Sequence, residues 1–377
     1  MYENRKINVL QLIEGLNFGG AETKLFELIA HMDRSRFRTV VCSLGMGDRI
    51  KDKFTALDVK FVNFQRRRRI DPKIIWEVAK LIRQEKIDVV MTTLFYADVV
   101  GALARRLSPA RAVFSWETIS APEWLLQHRL IAYRFAMRFC DKVISVSNAT
   151  ADWLVQKRGV PREKILVIPY GVNLKLYRPG RNLELKKKIG IPPEAPVIGV
   201  VARLHPQKGH RFLIEAAQAI VRAHPRVRFV LIGDGELRSE LEELVRQTKL
   251  TEHFLFLGFR DDVRDLLQIF DLFVLPSLYE GLPNVVLEAM ATALPVVATS
   301  VDGTKELIVD NETGFLVPPK DSAALAEKIS LLLADKERSA IFGLKGRQRV
   351  EAHHSLELQV KSFQNLYEKY ALNGALM

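Results

Sequence analysis

Two glutamates separated by seven residues, Glu280 and Glu288, lie in the stretch LFVLPSLYEGLPNVVLEAMA at 272–291. The pattern predicts a buried strand ending at Pro276, a loop carrying Glu280, Gly281, Leu282 and Pro283, and a helix opening near Asn284 and Val285. Backbone N–H groups at a helix start are unpaired and carry the positive end of the helix dipole, which favours phosphate. Gly281 would let the main chain approach a ligand closely. A ligand across that helix start could meet both carboxylates, one accepting from sugar hydroxyls and the other from ribose hydroxyls. The alternative makes Glu280 a loop charge and Glu288 a solvated helix residue.

A second group stands in VVARLHPQKGH, 200–210. Arg203 follows an apolar run and Lys208 precedes a helical pattern, so both cations belong to one strand-end loop. A guanidinium fork and an ammonium point charge suit a diphosphate leaving group. Taken singly, each could equally be a surface charge. The sequence offers no DxD-like carboxylate pair on a strand-end loop and no His/Cys grouping, so no metal and no other cofactor is expected. A third loop, EGLNFGGAET at 14–23, carries Gly19 and Gly20 where a strand turns into a helix. Its spacing departs from G-x-G-x-x-G, and it suits either a tight turn or an anion or sugar.

Short β-branched runs and amphipathic stretches alternate throughout, and this alternation must position these loops. Strands are expected at 6–13, 38–44, 59–64, 88–95, 111–116, 142–147 and 165–169. A second series is expected at 196–202, 227–232, 254–257, 272–275 and 295–299. Helical patterns run over 20–32, 72–84, 208–223, 236–247, 284–293 and 321–334. Strands without polar alternation, each followed by a helix, describe parallel sheets covered on both faces. Two such series predict two doubly wound domains, with ligands beyond the carboxyl ends of the strands. The prolines and glycines of 172–195 mark the junction. It separates a domain at 1–180, completed by a helix within 356–377, from one at 181–355.

The chain of 377 residues carries a formal charge of +12, distributed unevenly. Residues 1–180 hold 31 Lys+Arg against 18 Asp+Glu, a net of +13; the remainder holds 25 against 26, a net of −1. That asymmetry implies an acidic partner for the first domain or a solvated basic surface. The run Arg66–Arg69 and the segment WLLQHRLIAYRFAMRF (124–139) point to an anionic leaflet, with Trp124 and Tyr133 at the interface. The alternative is a buried helix with basic ends. The N-terminal stretch lacks the pattern of a signal peptide, and Cys42 and Cys140 are expected as reduced core thiols. These features predict a cytoplasmic protein, peripheral on the inner face of the membrane.

Together these residues resemble glycosyltransferase family 4, the retaining enzymes of GT-B architecture, an α/β class with two Rossmann-like domains facing across a cleft. EGLPNVVLEAMA resembles the family's paired-glutamate segment, ARLHPQKG its Arg and Lys separated by four residues, and NFGGAE its first-loop glycine pair. DKVISVSNAT, VIPYGVN, LIGDGEL, FLGFRDDV and DNETGFLVPP stand in the family's order. The resemblance implies that Arg203 and Lys208 bind the donor diphosphate, that Glu288 holds the ribose and that Glu280 holds the transferred sugar. Gly19 and Gly20 would face the phosphates or the acceptor, and the final helix would cross back to the first domain. It also implies a nucleotide-sugar donor, UDP- or GDP-linked, a glycan or lipid-linked acceptor, and no nucleic acid. One departure stands out. Many relatives carry a histidine after a first-domain strand, where this chain has Trp116 and Glu117, with His128 downstream as the only nearby substitute.

Other classes fit less well. An NAD-dependent oxidoreductase needs a phosphate-loop fingerprint and an acid about 20 residues on, and neither follows the first strand. A nucleotide-sugar epimerase shares the scaffold but leaves the paired glutamates less well explained. A nucleic-acid-binding protein would need a recognition motif beside the positive charge.

Overall fold

The computed structural model describes residues 5–17, 19–45, 47, 50–64, 71–120 and 122–372. The Arg66–Arg69 run lies outside the described residues. The chain divides into two compact units, residues 1–170 with 356–377, and residues 171–355.

The first unit holds β1 (Ile7–Ile13), β2 (Phe37–Ser43), β3 (Lys60–Asn63), β4 (Val89–Thr93), β5 (Ala112–Glu117), β6 (Lys142–Ser145) and β7 (Ile165–Val167). They form one parallel sheet in the order β3-β2-β1-β4-β5-β6-β7. Both faces are covered, as a parallel sheet requires. Leu10, Val40, Val90, Val113 and Val143 pack with Val78, Val100, Ala136 and Leu154. The helix Leu356–Leu372 returns to this unit and carries Phe363 and Tyr367 into its core. Trp116 meets Phe363 with ring centroids 5.0 Å apart, and the Gln11 side-chain amide donates to the Tyr367 hydroxyl at 3.1 Å.

The second unit holds β8 (Val197–Val201), β9 (Arg228–Ile232), β10 (Phe254–Gly258), β11 (Leu272–Leu275), β12 (Val296–Thr299) and β13 (Gly314–Val317). Their order is β10-β9-β8-β11-β12-β13, again parallel. Val200, Leu231, Val274 and Val297 pack under Leu213, Ala217, Leu241 and Ile329. Strand β13 was absent from the sequence expectation. Its four residues, GFLV, follow a turn and open with glycine, so propensity reads them as loop, and only the ladder with β12 makes them a strand.

In each sheet the direction of winding reverses once, between β1 and β4 and between β8 and β11. A crevice opens at such a switch point, beyond the carboxyl ends of the two diverging strands. The loop with Gly19 and Gly20 leaves β1, and the loops with Arg203 and Glu280 leave β8 and β11.

Candidate active site

The loops leaving β8 and β11 are bound to each other. Leu278 N–H donates to the Gln207 carbonyl at 2.7 Å, and the Gln207 side-chain amide donates to the Tyr279 carbonyl at 2.8 Å. Lys208 closes the series with its Nζ 2.6 Å from Glu280 Oε1. The same carboxylate oxygen accepts from the Ser277 hydroxyl at 2.7 Å. Both Lys208 and Glu280 are largely withdrawn from solvent, so this contact sits where water screens little. Glu280 N–H donates to Asp302 Oδ2 at 2.9 Å, bringing in the loop after β12. Burial raises the Asp302 carboxyl above its ordinary range, and the N–H of Glu280 opposes that shift.

Gly209 shows why the β8 loop needs glycine. Its φ is +63°, and a Cβ there would lie 2.1 Å from the Pro276 carbonyl oxygen. The bare backbone lets the start of the helix His210–Ala223 press against the end of β11. His210, at that helix start, is buried, and both ring nitrogens lack a hydrogen-bond partner among the described residues. Burial first, and the Lys208 charge second, hold its pKa down to about 4.

The helix Asn284–Ala291 begins directly after Gly281, Leu282 and Pro283, and no side chain caps its first N–H groups. Glu288 is buried on this helix and is not the solvated residue of the alternative reading. Leu282 is buried, while Asn284 and Val285 are partly exposed at the helix start. The Arg203 side chain stands exposed at the end of β8 and makes no ion pair among the described residues. Thus Lys208, Glu280, Ser277 and Asp302 form one hydrogen-bonded group, and Arg203 lies on the same loop outside it.

Gly19 and Gly20 belong to the first unit. Gly19 caps the helix Gly20–His31 in extended conformation, and the Glu22 carboxylate folds back over it. Burial holds that carboxyl above the usual range, with the Glu14 charge adding to the effect.

A buried ion pair stands where the resemblance implied a histidine. Glu117, at the end of β5, accepts from Arg158 Nη1 at 2.8 Å, and both side chains are fully buried. The guanidinium carbon sits 3.2 Å from the Tyr133 ring centroid, with Trp124 at 5.4 Å and Trp153 at 5.9 Å. Asp98 lies nearby, its carboxyl pushed well up by burial and by the Glu117 charge. His128 is exposed on the helix Gln127–Ala136.

This arrangement corrects the placement of Tyr133 at a membrane interface. Tyr133 is completely buried, because the helix turns it inward to stack on Arg158. The side chains turned outward are Ile131, 63% exposed, and Phe135, 49% exposed, beside Arg134 and Arg138.

Sequence reasoning missed Ser277, Asp302 and Gln207. Each is a common polar residue in a loop, and only the closure of three separate loops gives it a partner. Among the described residues, no group of three or more His, Cys, Asp or Glu side chains is placed to hold a metal ion. Cys42 and Cys140 are free and buried. Among those residues, no helix is long and apolar enough to cross a membrane.

Comparison with known proteins agrees with this layout. The model of glycosyltransferase family 4 matches residues 18–176, and that of the group 1 glycosyl transferases matches residues 182–349. UDP-Gal:alpha-D-GlcNAc-diphosphoundecaprenol alpha-1,3-galactosyltransferase of Escherichia coli is 30% identical over 314 residues, covering 80% of this chain and 81% of its own length. WcaL of Escherichia coli K12, named for colanic acid biosynthesis, is 31% identical and covers 82% of this chain and 76% of itself. Among solved structures, Anabaena HepE in complex with UDP and glucose superposes with a TM-score of 0.86 at 25% identity, covering 96% of this chain and 99% of its own. With two doubly wound parallel sheets and relatives matched along most of its length, the chain belongs to the group 1, family 4 glycosyltransferases and has their GT-B architecture.

Proposed function

We propose that the chain is a retaining hexosyltransferase that moves a sugar from a nucleoside diphosphate, UDP or GDP, to a hydroxyl of a glycan or lipid-linked acceptor, with no metal required. The observation that carries this reading is the joining of the β8 and β11 loops at the switch point, which puts Lys208 and Glu280 together beside two uncapped helix starts. HepE, similar along nearly the whole chain, was solved with UDP and with UDP-glucose, and the Escherichia coli relative is named for UDP-Gal. In this reading Arg203 and Lys208 bear the diphosphate charge. The helix start at Gly281, Leu282, Asn284 and Val285 supplies N–H donors, Glu288 takes the ribose and Glu280 takes the sugar. Gly19 and Gly20 serve the phosphates or the acceptor.

Attack then comes from the face that the diphosphate leaves. The acceptor oxygen bonds to the anomeric carbon as the bond to the phosphate oxygen breaks, and that oxygen takes the acceptor's proton. No carboxylate is assigned the part of nucleophile: Glu280 accepts from Lys208 and Ser277, and Glu117 is held by Arg158. Catalysis therefore rests on stabilising the leaving group and on orientation. Calorimetry with UDP and GDP, followed by donor turnover with and without EDTA, tests the proposal. Arg203→Ala and Lys208→Ala should each lower turnover by about 10²–10³, the usual loss for one charged transition-state contact. Near-normal turnover in either variant, or a requirement for a divalent ion, would sink the reading.

For a lipid-linked acceptor, the first unit docks on an anionic leaflet through Ile131, Arg134 and Phe135, exposed on the helix Gln127–Ala136, and Arg138, exposed in the turn that follows it. Sedimentation with anionic vesicles should show binding at low salt that fades at high salt. No binding at low salt would remove this part.

A further inference from the structure

Glu280 is fixed at two points. Its carboxylate accepts from Ser277 and Lys208, and its main-chain N–H donates to Asp302 Oδ2 at 2.9 Å. Asp302 lies in the loop between β12 and the short helix Thr304–Leu307, and it holds a φ of +30°. A positive φ is costly for a residue with a side chain, and it persists only where surrounding contacts over-determine it. Here the contacts are visible. The next residue, Gly303, packs so closely that a Cβ there would lie 1.9 Å from the Gly281 carbonyl oxygen. One loop thus grips successive residues of the other, by a carboxylate at the Glu280 N–H and by a bare α-carbon at the Gly281 carbonyl. A carboxylate acceptor makes the first grip the stronger kind of hydrogen bond.

We propose that Asp302 is a positioning residue for sugar recognition. It latches the turn 280–282 so that Glu280 faces the transferred hexose, and it thereby sets the enzyme's preference for the sugar-bearing donor over the bare nucleotide. The latch rests on the assignment of Glu280 to the sugar made above. The Lys208 side chain still meets Glu280, but the backbone that carries it and the helix start at His210 are tied to the β11 loop by separate contacts at Gln207 and Gly209, so loss of the Asp302 carboxylate bears first on the sugar end.

Calorimetric titration with UDP, UDP-glucose, UDP-galactose, GDP and GDP-mannose reads this directly and needs no acceptor. Asp302→Gly removes the carboxylate and suits the positive φ. Asp302→Asn keeps a side-chain oxygen acceptor and tolerates the same backbone. In Asp302→Gly the affinity for the preferred nucleotide should stay within about twofold, while that for its hexose conjugate falls about tenfold, the weight of one charge-assisted bond. Asp302→Asn should recover most of that loss. The latch is overturned if both affinities fall together in Asp302→Gly, if neither changes, or if Asp302→Asn is no better than Asp302→Gly. A wild-type protein that binds none of the five ligands defeats the donor-site reading itself, and that result is separate from any of the variant outcomes.

Discussion

Lys208 and Glu280 belong to loops 72 residues apart, yet their charges meet at 2.6 Å with both side chains largely withdrawn from solvent. Removing one partner leaves the other charge buried with less to satisfy it, whereas removing both relieves the problem. Lys208→Met and Glu280→Gln should therefore be non-additive. We expect a coupling energy of about 1–3 kcal/mol from a double-mutant cycle in urea, and additivity within about 0.5 kcal/mol would show the contact to be idle. Arg203, Lys208, Glu280 and Glu288 could be singled out in the sequence by type and spacing, and the structure brings Lys208 and Glu280 together. Their other partners could not be singled out. A serine at 277 or an aspartate at 302 has no periodicity to betray it, and its role exists only once β11 and β12 lie side by side.

Local patterning fixes most elements, since a β-branched run such as VIGVV at 197–201 has nowhere to go except a buried parallel strand. It failed where tertiary contact outweighs propensity. Strand β13 was unread for this reason, and of the two readings left open for 124–139 only the buried one holds for Tyr133, which packs on Arg158. The Glu117–Arg158 pair joins the end of β5 to the helical segment ending at Arg158, and its burial sets it apart from the many ion pairs on the surface. Arg158→Met should cost about 3–5 kcal/mol in thermal or urea unfolding, because it strands Glu117 in the core. Arg181→Ala, which breaks the exposed pair with Asp271, should cost no more than about 1 kcal/mol. Equal losses in the two variants would mean that burial contributes nothing to the first.

Over the whole molecule, buried titratable groups make stability depend on pH. The folded pKa of His210, about 4, lies below its ordinary 6.5, so its contribution is present above pH 6.5 and is lost as pH falls toward 4. The full swing is about 3 kcal/mol. A His210→Gln variant should accordingly lose less stability than wild type between pH 7 and about pH 4.5, as read from urea midpoints. Parallel curves would mean that the imidazole is not buried in its neutral form. Asp98 works in the opposite sense, since its folded pKa is raised. Its contribution is complete below 3.8 and fades as pH climbs through the folded value.

The helix Leu356–Leu372 has a consequence for how the protein is made. Phe363 and Tyr367 fill the core of a unit whose strands are all synthesised before residue 170. On the ribosome that sheet must wait, with the Trp116 and Phe114 side of it uncovered, while the intervening 171–355 emerge and close into a unit that is continuous in sequence. At about 5–20 residues per second the delay is of the order of ten to forty seconds. The nascent first unit thus presents an apolar surface for chaperones to shield, and the part of the protein begun earliest is the part completed last.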